Sequence, residues 1–288
     1  MDAVRQAIRI CPQEVQSAVL RLPYAQQIEE IRLRRGRTVC VTVNGEERNV
    51  NSPVVTGEWL EDMIARATGH AVFSAQQMLK NGFVTVEGGH RLGICGTAVY
   101  QGGEIGGFNE LSSFNLRVAR QIKGIASKTA DALWLYPQSA LIIGAPGVGK
   151  TTLLRDLIRQ LSDRFSFRIG VTDERMELGA CFNGRAQFDL GAHTDVLSGM
   201  KKETAVEYLL RTMSPQWIAV DEITAAGDIE AMLRGSYCGV HFLATAHASC
   251  REELGQRELY RKLLSCGVFK NLVTIRRDRS ITTERMSL

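Results

Sequence analysis

Residues 144–152 read Gly-Ala-Pro-Gly-Val-Gly-Lys-Thr-Thr, which is glycine, four residues, glycine, lysine, threonine. That spacing forms a loop whose backbone N–H groups face a polyanion, with a helix N-terminus behind it. Gly144, Ala145, Pro146, Gly147, Val148 and Gly149 are expected to wrap nucleotide phosphates. Lys150 is expected to reach the terminal phosphates, Thr151 to hold magnesium, and Thr152 to belong to the nucleotide-binding stretch. The flanks fit. Ala140-Leu141-Ile142-Ile143 is a short apolar run suited to a buried strand, and Leu153, Leu154, Leu157, Ile158 and Leu161 recur on one helical face. A glycine-rich turn joining strand to helix is the plain alternative, and full motif plus full context argues against it.

The other apolar runs, Ile169–Val171, Trp217–Val220 and Phe242–Ala244, alternate with helical segments. This rhythm predicts an α/β domain over 139–288 with a mainly parallel sheet covered on both faces. Residues 1–120 read differently, as a smaller α+β domain with an antiparallel sheet. Thr38–Val43 reads as a strand entering an Asn44-Gly45 hairpin, and Trp59–Ala67 as a helix capped by Thr56. Ser74 caps a short helix stopping at Asn81-Gly82. Phe83–Val86 and His90–Cys95 are strands around Gly88-Gly89, and Gly102-Gly103 with Gly106-Gly107 mark a further hairpin or loop. Ile122 to Pro137 is expected to be a helix within a linker spanning 121–138.

A chain of 288 residues with a formal charge of +4 has the composition of a globular protein. The charge is spread along the chain, which disfavours nucleic acid as the main partner. Its densest basic cluster, Arg32, Arg34, Arg35 and Arg37, lacks interleaved aromatics and reads as a solvated or lipid-facing patch. No apolar stretch approaches bilayer length, and the N-terminus reads as an amphipathic helix rather than an export signal. The seven cysteines show no CxxC pairing, so they are expected to be reduced, mostly buried thiols in the cytosol.

Four strand ends carry polar residues where a doubly wound sheet binds ligands. After the phosphate loop come Asp173-Glu174-Arg175, Asp221-Glu222 and Thr245-Ala246-His247. Asp221 suits magnesium and Glu222 suits a general base for the attacking water. His247 could sense the terminal phosphate, although a lone histidine after a strand is usually structural. Asp173 and Glu174 serve the site only if strand order brings them beside the loop. Arg175, Arg211 and Arg234 are candidate charge stabilisers across a subunit boundary, each with solvated arginine as its alternative.

These elements, in this order, resemble the RecA-like secretion ATPases of type II and type IV systems. A closer likeness is to the stage III sporulation protein AA family of endospore-forming Firmicutes. It is carried by Ile28–Arg34 with Gly36-Arg37, by Asn81–Phe83 with Gly88–Arg91 and Gly93–Gly96, and by Ser112–Arg120. Thr194–Leu197, Arg211–Pro215 and Val220–Ile223 complete it.

The resemblance implies an ATP-hydrolysing, hexameric ring. In it Asp173 and Glu174 form an acidic box, Glu222 is the catalytic carboxylate and His247 belongs to a histidine box. It also implies that Arg211 contributes to the nucleotide site and that Arg91, Arg117 and Arg120 are the matching N-terminal arginines. Val-Asp-Glu stands where many secretion ATPases have Gly-Glu, which gives magnesium an extra anchor at Asp221. Membrane-bound stage III sporulation proteins would be the partners, on the mother-cell cytosolic face of the membrane around the forespore. A nucleotide-binding scaffold with negligible hydrolysis is the alternative. A DNA motor is disfavoured by the modest charge, and a small-molecule kinase by the lack of a nameable second pocket.

Overall fold

The computed structural model describes residues 2–69 and 82–286, so the Ser74–Asn81 helix expectation lies outside the described residues. The chain divides into two compact units, Met1–Arg120 with Cys181–Gln187, and Gln121–Ala180 with Phe188–Leu288.

The first unit begins with α1 (Ala3–Ala7) and α2 (Gln13–Leu20). The N-terminal segment is therefore two helices. Pro12 separates them, because proline donates no N–H and restricts the residue before it. Strands β1 (Glu30–Arg34), β2 (Cys40–Val43) and β3 (Glu46–Asn49) precede α3 (Gly57–Ala67). Thr56 caps α3, its side chain accepting from the Trp59 N–H at 3.2 Å. Asn44 and Gly45 both have positive φ, as the two-residue turn between β2 and β3 requires. Strands β4 (Phe83–Val86), β5 (His90–Gln101) and β6 (Glu104–Arg117) complete the unit.

The six strands form one sheet in the order β3-β2-β1-β6-β5-β4, antiparallel throughout. Period-two alternation decides its faces. In β1, Ile31 and Leu33 are buried in the core with helix residues such as Val4, Val15 and Leu60, while Glu30, Arg32 and Arg34 line the other side. There Arg34 pairs with Glu47 at 2.7 Å and Arg32 with Glu30 at 2.8 Å. Half of the basic cluster expected as a solvated or lipid-facing patch is thus neutralised by ion pairs on its own sheet.

The second unit starts with α4 (Ser127–Leu135), well short of the helix expected from Ile122. Gly124, at φ 90°, breaks the preceding segment, and Pro137 disfavours helix just beyond it. Nor is α4 a linker, because Ala130 and Leu133 belong to the unit's core.

Strand β7 (Ala140–Gly144), α5 (Lys150–Phe165), β8 (Ile169–Asp173) and β9 (Thr194–Ser198) follow. Next come α6 (Lys202–Thr212), β10 (Trp217–Val220), α7 (Ala226–Tyr237) and β11 (His241–His247). The chain closes with α8 (Arg251–Gln256), α9 (Glu258–Ser265), β12 (Asn271–Ile275) and β13 (Ile281–Arg285).

The sheet order is β13-β12-β7-β11-β10-β8-β9, with β13 alone antiparallel to its neighbour. Successive residues of β10 enter opposite cores. Ile218 and Val220 pack with α6, α7 and α9, whereas Trp217 and Ala219 pack with α4 and α5. That two-sided burial explains why the parallel strands are continuous apolar runs. The α/β second unit and the α+β first unit agree with the fold class expected from sequence.

The cysteine expectation needs correction. All seven thiols are free, but only Cys11 and Cys40 are buried, and Cys95, Cys238 and Cys250 are exposed.

Candidate nucleotide site

Strand order assembles the site. Placing β11 between β7 and β10 sets the loop after β7 next to the carboxyl ends of both. Gly147 and Gly149 have φ of 77° and 107°, conformations that favour glycine, and each would present a Cβ to open space. Their backbone turns the loop into α5, whose first residue is Lys150.

Lys150 is buried, and its Nζ donates to the carbonyls of Gly144 and Ala145 at 2.9 and 3.0 Å. The third contact of Nζ is His247 Nδ1 at 3.0 Å. Burial pushes the lysine pKa down, while Asp221 and Glu222 oppose that shift. An ammonium only donates, so the pairing requires a lone pair on Nδ1 and leaves Nε2–H for Glu222. His247 Nε2 indeed lies 3.1 Å from Glu222 Oε1.

Thr151 Oγ1 donates to Asp221 Oδ2 at 3.0 Å, and Thr245 Oγ1 donates to Asp221 Oδ1 at 2.8 Å. Burial raises the Asp221 pKa against these two hydroxyl bonds, the usual cost of an enclosed carboxylate. Thr245 also accepts the Glu222 N–H at 2.8 Å, so one hydroxyl ties both acidic residues to β11. Glu222 adopts φ 55°, a left-handed conformation rare for a side chain of this size. Its Oε2 accepts from Arg175 Nη1 at 2.6 Å. The candidate base is thus held by Arg175 and His247 of its own chain.

The neighbouring acidic pair behaves otherwise. Both Asp173 oxygens are occupied by backbone N–H groups of Glu177, Leu178, Gly179 and Ala180, at 2.7 to 3.3 Å. Arg155 of α5 fastens the same loop by donating to the carbonyls of Glu177 and Leu178. Asp173 organises this loop instead of presenting its carboxylate to the phosphate loop, contrary to the cofactor-binding expectation. Glu174 pairs with the buried Lys202 at 2.9 Å.

Arg211 is displaced further. It sits in the last turn of α6, whose first residue, Lys202, is the one beside Glu174. A helix of this length places Arg211 roughly 14 Å away, at the opposite edge of the sheet. There it faces Glu207, as does Arg234 at 2.5 Å. Neither joins the phosphate loop of its own chain. In the N-terminal unit Arg117 lies 3.5 Å from Glu30, Arg120 donates to the Gln26 and Ile28 carbonyls, and Arg91 covers the Phe83 ring. Thr245, Arg155 and Lys202 escape a reading based on charged motifs, because their roles depend on which strand lies beside which.

The fold is that of the RecA-like secretion ATPases. The crystal structure of the pilus retraction motor PilT with bound ADP superposes with a TM-score of 0.62 at 17% identity, covering 91% of this chain and 76% of that one. The Legionella pneumophila ATPase DotB gives 0.57 at 18% identity, covering 90% and 76%. The chain belongs to the family described as sporulation stage III, protein AA, whose pattern matches residues 5–283. It is 33% identical over 279 residues to stage III sporulation protein AA of Bacillus subtilis (strain 168), covering 94% of this chain and 90% of that protein.

Proposed function

We propose that this protein is a magnesium-dependent ATPase that powers a sporulation-associated transport or channel complex. The observation carrying the reading is the Thr151–Asp221 hydrogen bond of 3.0 Å, which joins the phosphate-loop helix to the strand end bearing Glu222. The open backbone at Gly147 and Gly149 and the N-terminal turn of α5 fit a polyphosphate. A hard cation fits the donor set as well, since Thr151 and Asp221 offer only oxygen. They would hold magnesium, which neutralises charge developing on the phosphates. Lys150 would exchange its carbonyl and histidine partners for phosphate oxygens. Glu222 would orient water and take its proton, and His247, touching both Lys150 and Glu222, would register the terminal phosphate.

By analogy with secretion ATPases, such subunits would act as a hexameric ring. That ring would be served by membrane-bound stage III sporulation proteins at the cytosolic face of the forespore-surrounding membrane in the mother cell. Arg211 and Arg234, exposed at the far edge of the unit, would then act toward a neighbouring copy. One observation favours the scaffold alternative: both Glu222 oxygens are already engaged, so a water can be activated only after one is released. Oligomeric mass and turnover, each measured with and without a non-hydrolysable ATP analogue or membrane partners, separate the two. A nucleotide-dependent ring that releases phosphate supports the motor. A nucleotide-binding protein with no turnover under any condition supports the scaffold.

A further inference from the structure

The amino-terminal edge of the second unit's sheet lies opposite the nucleotide site and has a distinct surface chemistry. Helices α4, α5, α6 and α7 all end there, because each feeds a parallel strand. Their ends leave large apolar side chains in solvent: Trp134, Leu135 and Tyr136 at the end of α4, Met213 after α6, and Tyr237 closing α7. Tyr237 is 80% exposed and Leu135 and Tyr136 are each 62% exposed, unusual values for residues of this kind. The edge also has an aromatic floor. Trp134 stacks on Phe165 at 5.0 Å, and the series continues through Phe167 and Trp217 to His241.

The exposed tips are joined by basic residues. Arg285 lies over the Tyr136 ring at 4.5 Å. It pairs in register with Asn271, next to Lys270, and Lys270 and Tyr237 line one hollow of about 310 Å³ with Gln138 and His241. Arg168 lies on the same edge, whereas Arg164 is paired with Asp131, and Arg211 and Arg234 with Glu207. The acidic residues here include Asp131 and Glu207, both in ion pairs, Asp163, which lies 3.9 Å from Arg159, and the exposed Asp195 and Glu284 near the strand ends. Among the described residues, Lys270, Arg285 and Arg168 make no ion pair.

We infer that this edge docks the protein directly onto an anionic lipid surface. Tryptophan and tyrosine settle at headgroup depth, where a ring is buried and a polar tip stays wet. Arginine and lysine beside them meet lipid phosphates. The apolar residues stand on the tips of separate turns, which suits shallow insertion into a fluid interface rather than closure around a protein ridge. The nucleotide edge faces the other way, so the proposal stands independently of the ATPase reading, and turnover measured in parallel keeps the two apart.

The test is co-flotation of the full-length protein with vesicles of phosphatidylcholine alone or with one-third phosphatidylglycerol. Wild type is expected to float with the anionic vesicles only. Each basic side chain near such a surface contributes roughly fivefold to partitioning, so the double variant Lys270→Gln/Arg285→Gln should lose about 25-fold. Leu135→Ser/Tyr237→Ser, at exposed positions, should weaken flotation at least tenfold while leaving ATP turnover in solution unchanged. Absence of wild-type flotation overturns the inference, as does equal flotation of the variants. If the variants instead dissociate a lipid-free oligomer, the edge is a contact between copies and the lipid assignment is wrong.

Discussion

Arg175 Nη1 lies 2.6 Å from Glu222 Oε2, so an arginine of the β8 loop holds the residue best placed to activate water. The pair is partly exposed, with the arginine side chain 59% accessible, and an ion pair in that setting is worth at most about 1 kcal/mol. Arg175→Ala is therefore expected to change turnover no more than about fivefold, upward if release of Glu222 limits the rate. A loss of a hundredfold or more would instead make Arg175 part of the reacting assembly. Steady-state turnover of Arg175→Ala beside Arg175→Lys decides between them.

Thr245 joins Asp221 and Glu222 through one hydroxyl. Thr245→Val keeps the shape of the side chain but leaves a carboxylate oxygen and a backbone N–H without their partner. Turnover should fall about tenfold or more, and stability should fall with it, since losing one such partner costs about 1–3 kcal/mol. Unchanged kinetics would remove Thr245 from the site.

Asp173 and Glu174 are adjacent, yet the structure predicts opposite consequences for replacing them. Asp173→Ala leaves four backbone N–H groups of the 177–180 loop unpaired and should lower stability by roughly 2–4 kcal/mol. Glu174→Ala removes one ion-pair partner from the buried Lys202, which keeps Thr224 at 3.3 Å. Against four backbone N–H groups left unpaired at Asp173, its loss should be the smaller of the two. Urea midpoints of the two variants test the ordering.

His90 is buried, with Nδ1 accepting the Ala119 N–H at 3.0 Å. Burial, reinforced by Arg120, lowers its pKa from 6.5 to about 4. Below pH 6.5 the unfolded chain therefore takes up a proton that the folded chain refuses until about pH 4. Stability from this group falls as pH falls through that window, by roughly 3 kcal/mol in total. His90→Gln should remove that part of the dependence, visible as a flatter urea midpoint between pH 7 and 4.5.

Local signals carried much of the fold. The phosphate loop, the four apolar runs and the Asn44-Gly45 turn are each decided by neighbouring residues, and each lies where its pattern implies. Elements whose identity depends on distant partners were less legible. Strand β9 has no fully buried residue at the sheet edge, and β12 pairs with β7 across more than a hundred residues of chain. Helix α4 starts late because one glycine interrupts a tolerable helical pattern. In the site, Lys150, Thr151, Asp221, Glu222 and His247 are brought together by strand order. A motif also cannot show where a carboxylate turns, and Asp173 turns into its own loop. Arg211 illustrates the same limit, since nearness in sequence to β10 places it at the wrong end of that strand for nucleotide.

Hydrolysis through Glu222 is tested most directly by phosphate release from purified wild type and Glu222→Gln at saturating magnesium and ATP, with ATP affinity measured in parallel. The expected result is retained binding in the variant with turnover reduced by about 10² or more, because a positioned base contributes that much. A variant that releases phosphate at a rate close to wild type would contradict the role of Glu222 as the base and, with it, hydrolysis by this site.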